Sequence, residues 1–173
     1  MKCGSSDHHA LQLWLEYGIM ESIHKLWKRM LAMRDLELAV KLLNNENYTC
    51  VLCKGEQFYT SRQKGISPML DWIDSGADLQ GFSAADKIVG KAAAMLFVLA
   101  GIRSVHAQVL SELGKQVLEQ HGIDVSYSTL TKRIINRNGD GICPMEGTVA
   151  EIHTPHEAIT AIRCKRDQLR KGE

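Results

Sequence analysis

Leu36, Ala39, Val40 and Leu43 recur at helical spacing and stop at Asn44-Asn45-Glu46-Asn47, which predicts a helix and then a turn. Two runs rich in β-branched and aromatic residues follow, YTCVLCK (48–54) and EQFYTS (56–61). Gly55 joins them as a hairpin. Ser67 and Pro68 cap and start a short helix, MLDWIDS, that Gly76 ends. The segment SAADKIVGKAAAMLFVLAG, Ser83 to Gly101, is apolar on every side in its second half. It predicts a buried central helix beginning after Ser83. A strand, RSVHAQVL, comes next, then a helix from Ser111 to His121 closed by Gly122, and a strand through IDVSYS. Cys143 and Pro144 open one terminal helix; Thr154, Pro155 and Glu157 open another as a capping box. Helices between strands imply a sheet covered on both faces. The fold class is therefore α/β, a three-layer α/β/α domain with a mixed sheet.

The first thirty residues differ in character. Leu13, Tyr17, Met20, His24, Trp27 and Leu31 recur at spacings of four and three, a stripe of coiled-coil period interrupted by His24. Such a helix needs a partner surface: its own domain, or a second copy in a homo-oligomer formed through the N-terminal helix. Residues 1–32 are read as a helical extension and 33–173 as the domain. Met30 and Met33 leave open a natural start at either position.

Composition changes this picture little. The chain has 173 residues, 45% hydrophobic and 24% charged, which suits one ordinary globular domain with an appendage. A net charge of +1 and 6% aromatics provide neither the basic stripe nor the stacking platforms of nucleic-acid binders, so no nucleic-acid partner is expected. The longest apolar run, Ala92 to Ala100, falls far short of the roughly 20 residues of a membrane span, so no membrane partner is expected either. Five scattered cysteines and an N-terminus without signal-peptide character point to a reducing cytoplasm.

Two clusters carry candidate chemistry. Asp86, Lys87, Gly90 and Lys91 fall in the first turns of the predicted central helix. Ser83 and Asp86 fit a capping pattern, but cations at Lys87 and Lys91 oppose the helix dipole and call for something anionic. Free N–H groups, two lysines and a glycine also describe an anion site. In the second cluster Pro144 fits the first helical position, which puts Cys143 at the N-cap, where a thiol is acidified, with Glu146 nearby. The NRNGDG loop, Asn136 to Gly141, supplies turn freedom to bring this helix end back toward Asp86. Cys50 and Cys53, or His153 and His156, are isolated pairs rather than a metal-ligand set, and the two cysteines face opposite ways on a strand. No metal and no cofactor are expected.

GISPML (65–70), AADKIVGKAAA (84–94), Asn136-Arg137 and CPME (143–146), in this order and spacing, resemble the family called domain of unknown function 1893 over about residues 34 to 165. The resemblance implies a cytidine-deaminase-like fold without an established activity. Zinc deaminases carry H-x-E or C-x-E at the start of the helix after the first hairpin and P-C-x-x-C at the start of the helix after the third strand. We match these positions to Ala85-Asp86-Lys87 and to Ser111 through Gly114, where every metal ligand is absent. The expected role is therefore binding of a small anionic metabolite, bearing phosphate or carboxylate, without zinc. Lys91, Gly90, Gly65, Pro68 and Ser111 would line the site. The alternatives are a metal-free enzyme with Cys143 as nucleophile, Asp86 or Glu146 as acid or base and Lys87 as anion stabiliser, and a protein-interaction module working through the N-terminal helix.

Overall fold

The computed structural model describes residues 7–136 and 138–171, with side chains from Met20 onward. Helix α1 (Asp7–Asn45) is followed by the hairpin β1 (Cys50–Lys54) and β2 (Gln57–Ser61), and by α2 (Ser67–Asp74). Strand β3 (Ser83–Val89), α3 (Lys91–Leu99), β4 (Ser104–Ser111), α4 (Glu112–Gln120) and β5 (Asp124–Thr131) form the central repeat of strand and helix. The short α5 (Pro144–Thr148) and α6 (Pro155–Lys171) complete the chain. The sheet order is β2-β1-β3-β4-β5, with β1 antiparallel to both neighbours and β3, β4 and β5 parallel.

One face of the sheet is covered by α2, α3, α4 and α6, and α1 covers the other over β1 and β3, while β5 stays largely exposed. Along β1, Cys50 and Leu52 enter the larger core, which holds residues of α2, α3, α4 and α6. Val51 and Cys53 point the other way, against Ala39 and Leu43 of α1. This period of two separates the layers. Local signals set the ends. Gly55, at φ +59°, turns the hairpin. Ser111 Oγ accepts from the Gly114 N–H at 3.0 Å to cap α4, and Thr154 accepts from the Glu157 N–H at 3.3 Å before α6. No helix of the described residues is long and apolar enough to cross a membrane.

Two sequence expectations require correction. Ser83 to Val89 is a strand, not the start of a helix, because it pairs on both sides, with β1 and with β4. Its small residues Ser83, Ala84 and Ala85 are fully buried between layers, and that packing overrides their helical preference. The helix begins only at Lys91, so Ser83 and Asp86 form no capping box. Helix α1 runs unbroken through residue 32 to Asn45. Second, the N-cap of α2 is Ile66, with Ser67 already helical.

Candidate functional site

The carboxyl ends of β3 and β4 lead into the starts of α3 and α4, and residues from four segments converge there. Gly90 leaves β3 in an extended conformation and Lys91 begins α3. A side chain at Gly90 would have its Cβ 3.0 Å from Ile134 Cγ1 and 3.1 Å from Glu146 Oε1. Glycine here serves close approach rather than backbone freedom. Across from it, a Cβ on Gly114 would lie 3.1 Å from the Gly90 carbonyl carbon and 3.2 Å from Ser111 Oγ.

Glu146, on α5, is the centre of this arrangement. Its carboxylate is 4% exposed, and both oxygens are occupied. Oε1 accepts from the Lys91 N–H at 3.3 Å and Oε2 from the Ile134 N–H at 2.6 Å. A carboxylate thus sits at the positive end of α3, where free N–H groups and the helix dipole favour it. Lys91 is itself 6% exposed, and its ammonium donates to the Ala150 carbonyl at 2.6 Å. The anion that the cationic helix start called for is supplied by the chain. The loop before α5 folds back as expected: Asn136 Nδ2 donates to Asp140 Oδ1 at 2.7 Å, and the Cys143 N–H donates to the Ile134 carbonyl at 2.9 Å. Arg137 lies outside the described residues.

Cys143 is the N-cap of α5, as read from Pro144, and is half-buried. It makes no side-chain capping bond. The arrangement that joins Gly90, Lys91, Ser111 and Glu146 does not include Gly65 or Pro68. Gly65 is an exposed turn residue at φ +66°, and Pro68 is buried in α2.

Asp86 and Lys87 do not act together, since neighbours on a strand face opposite ways. Lys87 donates to Asn47 Oδ1 at 3.5 Å, beside the end of α1. Asp86 is 8% exposed, pairs in register with Cys50, and accepts from the Ile88 N–H at 2.9 Å. Burial pushes its carboxyl up to about 7, against the opposing pull of the Ile88 N–H, the Cys50 thiol and the Lys87 N–H. Burial, and then the Asp86 charge, also push the Cys50 thiol well above its ordinary value.

The topology also corrects the alignment with zinc deaminases. The helix after the hairpin is α2 and the helix after the third strand is α3, so the corresponding positions are Ser67-Pro68 and Gly90-Lys91. Neither holds a thiol, an imidazole or a carboxylate. Among the described residues no three His, Cys, Asp or Glu side chains cluster as a metal site. Sequence reasoning missed Ile134, Ala150 and Gly114, which act through backbone groups and close approach and leave no side-chain signature. Two shallow depressions, one lined by Gln80, Arg103 and His121 and the other by Phe58, Tyr59 and Asp78, lie apart from the Glu146 cluster.

These observations define a three-layer α/β domain whose parallel strands end against a segment of the same chain, held there by a buried carboxylate. The chain belongs to the family described as Domain of unknown function (DUF1893), whose model matches residues 38–165. It is similar to a DUF1893 family protein from Thermotoga maritima, with 26% identity, a TM-score of 0.71, and coverage of 76% of this chain and 90% of that one. A diaminohydroxyphosphoribosylaminopyrimidine deaminase/5-amino-6-(5-phosphoribosylamino)uracil reductase from Thermotoga maritima aligns at 17% identity and a TM-score of 0.37, over 74% of this chain and 42% of that one, too loosely to argue from. No curated protein matches the chain.

Proposed function

We propose that the domain binds a small metabolite bearing a carboxylate or phosphate at the start of α3, and that Glu146 holds the place of that anion until the ligand arrives. The supporting observation is the Glu146 carboxylate itself, which takes the Lys91 and Ile134 N–H groups, while the Lys91 ammonium is turned to the Ala150 carbonyl. A ligand carboxylate or phosphate has the same acceptor geometry and gains from the same helix end. Glu146 sits on a helix of one turn behind a largely exposed loop, the short segment that would have to move to release it. The reading uses no metal, and Cys143 serves it as a helix start rather than a nucleophile.

The test is a thermal-shift and calorimetric screen of the full-length protein against inorganic phosphate, nucleotides, sugar phosphates and small carboxylic acids. A ligand at 100 times its dissociation constant should stabilise by about 2.7 kcal/mol. Glu146→Gln removes the competing charge and should tighten binding several-fold, whereas Lys91→Met should weaken it at least tenfold. The reading fails if neither the wild type nor Glu146→Gln responds to any of these anions, or if the responding ligand is indifferent to Lys91→Met.

A further inference from the structure

The N-terminal half of α1 carries an apolar face that the domain does not cover. Contact with the body begins at Ala32, which is buried, and continues through Ala39 and Leu43. N-terminal to Ala32 every described side chain, from Met20 to Leu31, is exposed, so this stretch of helix stands clear of the body over roughly 18 Å. Met20, Ile23, Trp27, Met30 and Leu31 are between 40% and 67% exposed. At 100° per residue, Met20, Trp27 and Leu31 lie about a third of a turn away from the stripe of Ala32, Ala39 and Leu43. A second helix laid on them therefore clears the body.

We propose that this face pairs with the same face of a second copy, in an antiparallel two-helix coiled coil. In the heptad register His24 and Leu31 are a positions, Met20 and Trp27 d, Ile23 and Met30 g, and Glu21 and Lys28 e. Running the copies antiparallel sets Leu31 against Met20 of the second copy and His24 against its Trp27. One flank then pairs Ile23 with Met30, and the other pairs Glu21 with Lys28; both pairs occur twice by the two-fold symmetry. A parallel pair sets Lys28 against Ile23 and forgoes both charge pairs. Charge complementarity thus selects the occupant and its direction together. Within the described part of this stretch, the ion pair of Glu21 with Lys25 at 3.1 Å is highly exposed and leaves the Lys28 ammonium available.

Sedimentation of the full-length protein should give twice the 19.3 kDa chain mass. Trp27→Glu should return it to 19.3 kDa while the domain keeps a cooperative melting transition. Glu21→Lys and Lys28→Glu should each weaken the dimer several-fold, and the double variant should recover it. In that double variant the new cation at position 21 still faces Lys25 of its own helix, so restoring the pair within one helix cannot account for recovery. A monomer at high micromolar concentration overturns the proposal, whether or not it adheres to phosphatidylcholine–phosphatidylglycerol vesicles. So does an oligomer indifferent to Trp27→Glu, or a double variant no better than the single ones.

Discussion

Asp86 is a carboxyl held in the middle of a sheet, and its environment makes a pH-dependent statement about the fold. Its folded value is raised from 3.8 to about 7, chiefly by burial, so the folded state holds its proton more tightly than the unfolded chain. The native form binds more protons between these values, and stability falls as the pH rises from about 4 to about 7. The span sets an upper bound of ~4 kcal/mol at 1.36 kcal/mol per unit. Asp86→Asn keeps an oxygen to accept from the Ile88 N–H and removes the titration. Denaturant melts across this pH range should show a shallower slope for Asp86→Asn than for the wild type and a more stable variant at neutral pH; parallel curves would exclude a proton on Asp86. The partner thiol of Cys50 should stay unmodified by iodoacetamide near neutral pH in the folded protein, as burial and the adjacent carboxyl both disfavour its thiolate.

Among the elements, the meeting of α3 and α4 depends on close approach at two glycines. Alanine is the better helix former at Gly114 by about 1 kcal/mol. Its Cβ would nevertheless press on the Gly90 backbone at 3.1 Å, an atom that cannot rotate away. Gly114→Ala should therefore destabilise, by about 1–3 kcal/mol, the range for overpacking. Gly90→Ala differs, because it meets the side chains of Ile134 and Glu146. It should cost less stability and loosen the contact of α5 with α3, read as faster amide exchange at Ile134 and Lys91. Equal exchange in the variant and wild type would show that α5 is held by other means.

For the whole molecule, a buried relay between layers reaches α1 at Ala32. Ser104 Oγ donates to Ser83 Oγ at 2.8 Å, and Ser83 Oγ donates to the Ala32 carbonyl of α1 at 3.2 Å. A chain starting at Met33 lacks that carbonyl, and a buried hydroxyl without its acceptor costs about 1–3 kcal/mol. A chain starting at Met30 keeps it. Both should fold cooperatively, with the Met33 start less stable by that amount; equal stability would show that the relay contributes nothing and that the domain begins after Ala32.

Much of this architecture was legible because its signals are local. The hairpin at Gly55, the Ser111 cap, the Thr154 and Glu157 box and the Pro144 start each depend on residues within a few positions, so sequence by itself determined where those elements lie. The helical N-terminal stripe was equally legible, because a period of 3.5 needs no tertiary context to be seen. Strand β3 was not. Ala84-Ala85-Asp86-Lys87 favours helix in isolation and becomes extended because β1 and β4 flank it. The candidate site divides the same way. Gly90, Lys91 and Glu146 stood out as residue types, but the distance along the chain from Lys91 to Glu146 is closed only by the fold. That Lys87 faces α1, and that Glu146 fills the anion position of α3, are decisions of tertiary structure, since strand pairing chooses the face each side chain takes and packing chooses which carboxylate reaches a helix end.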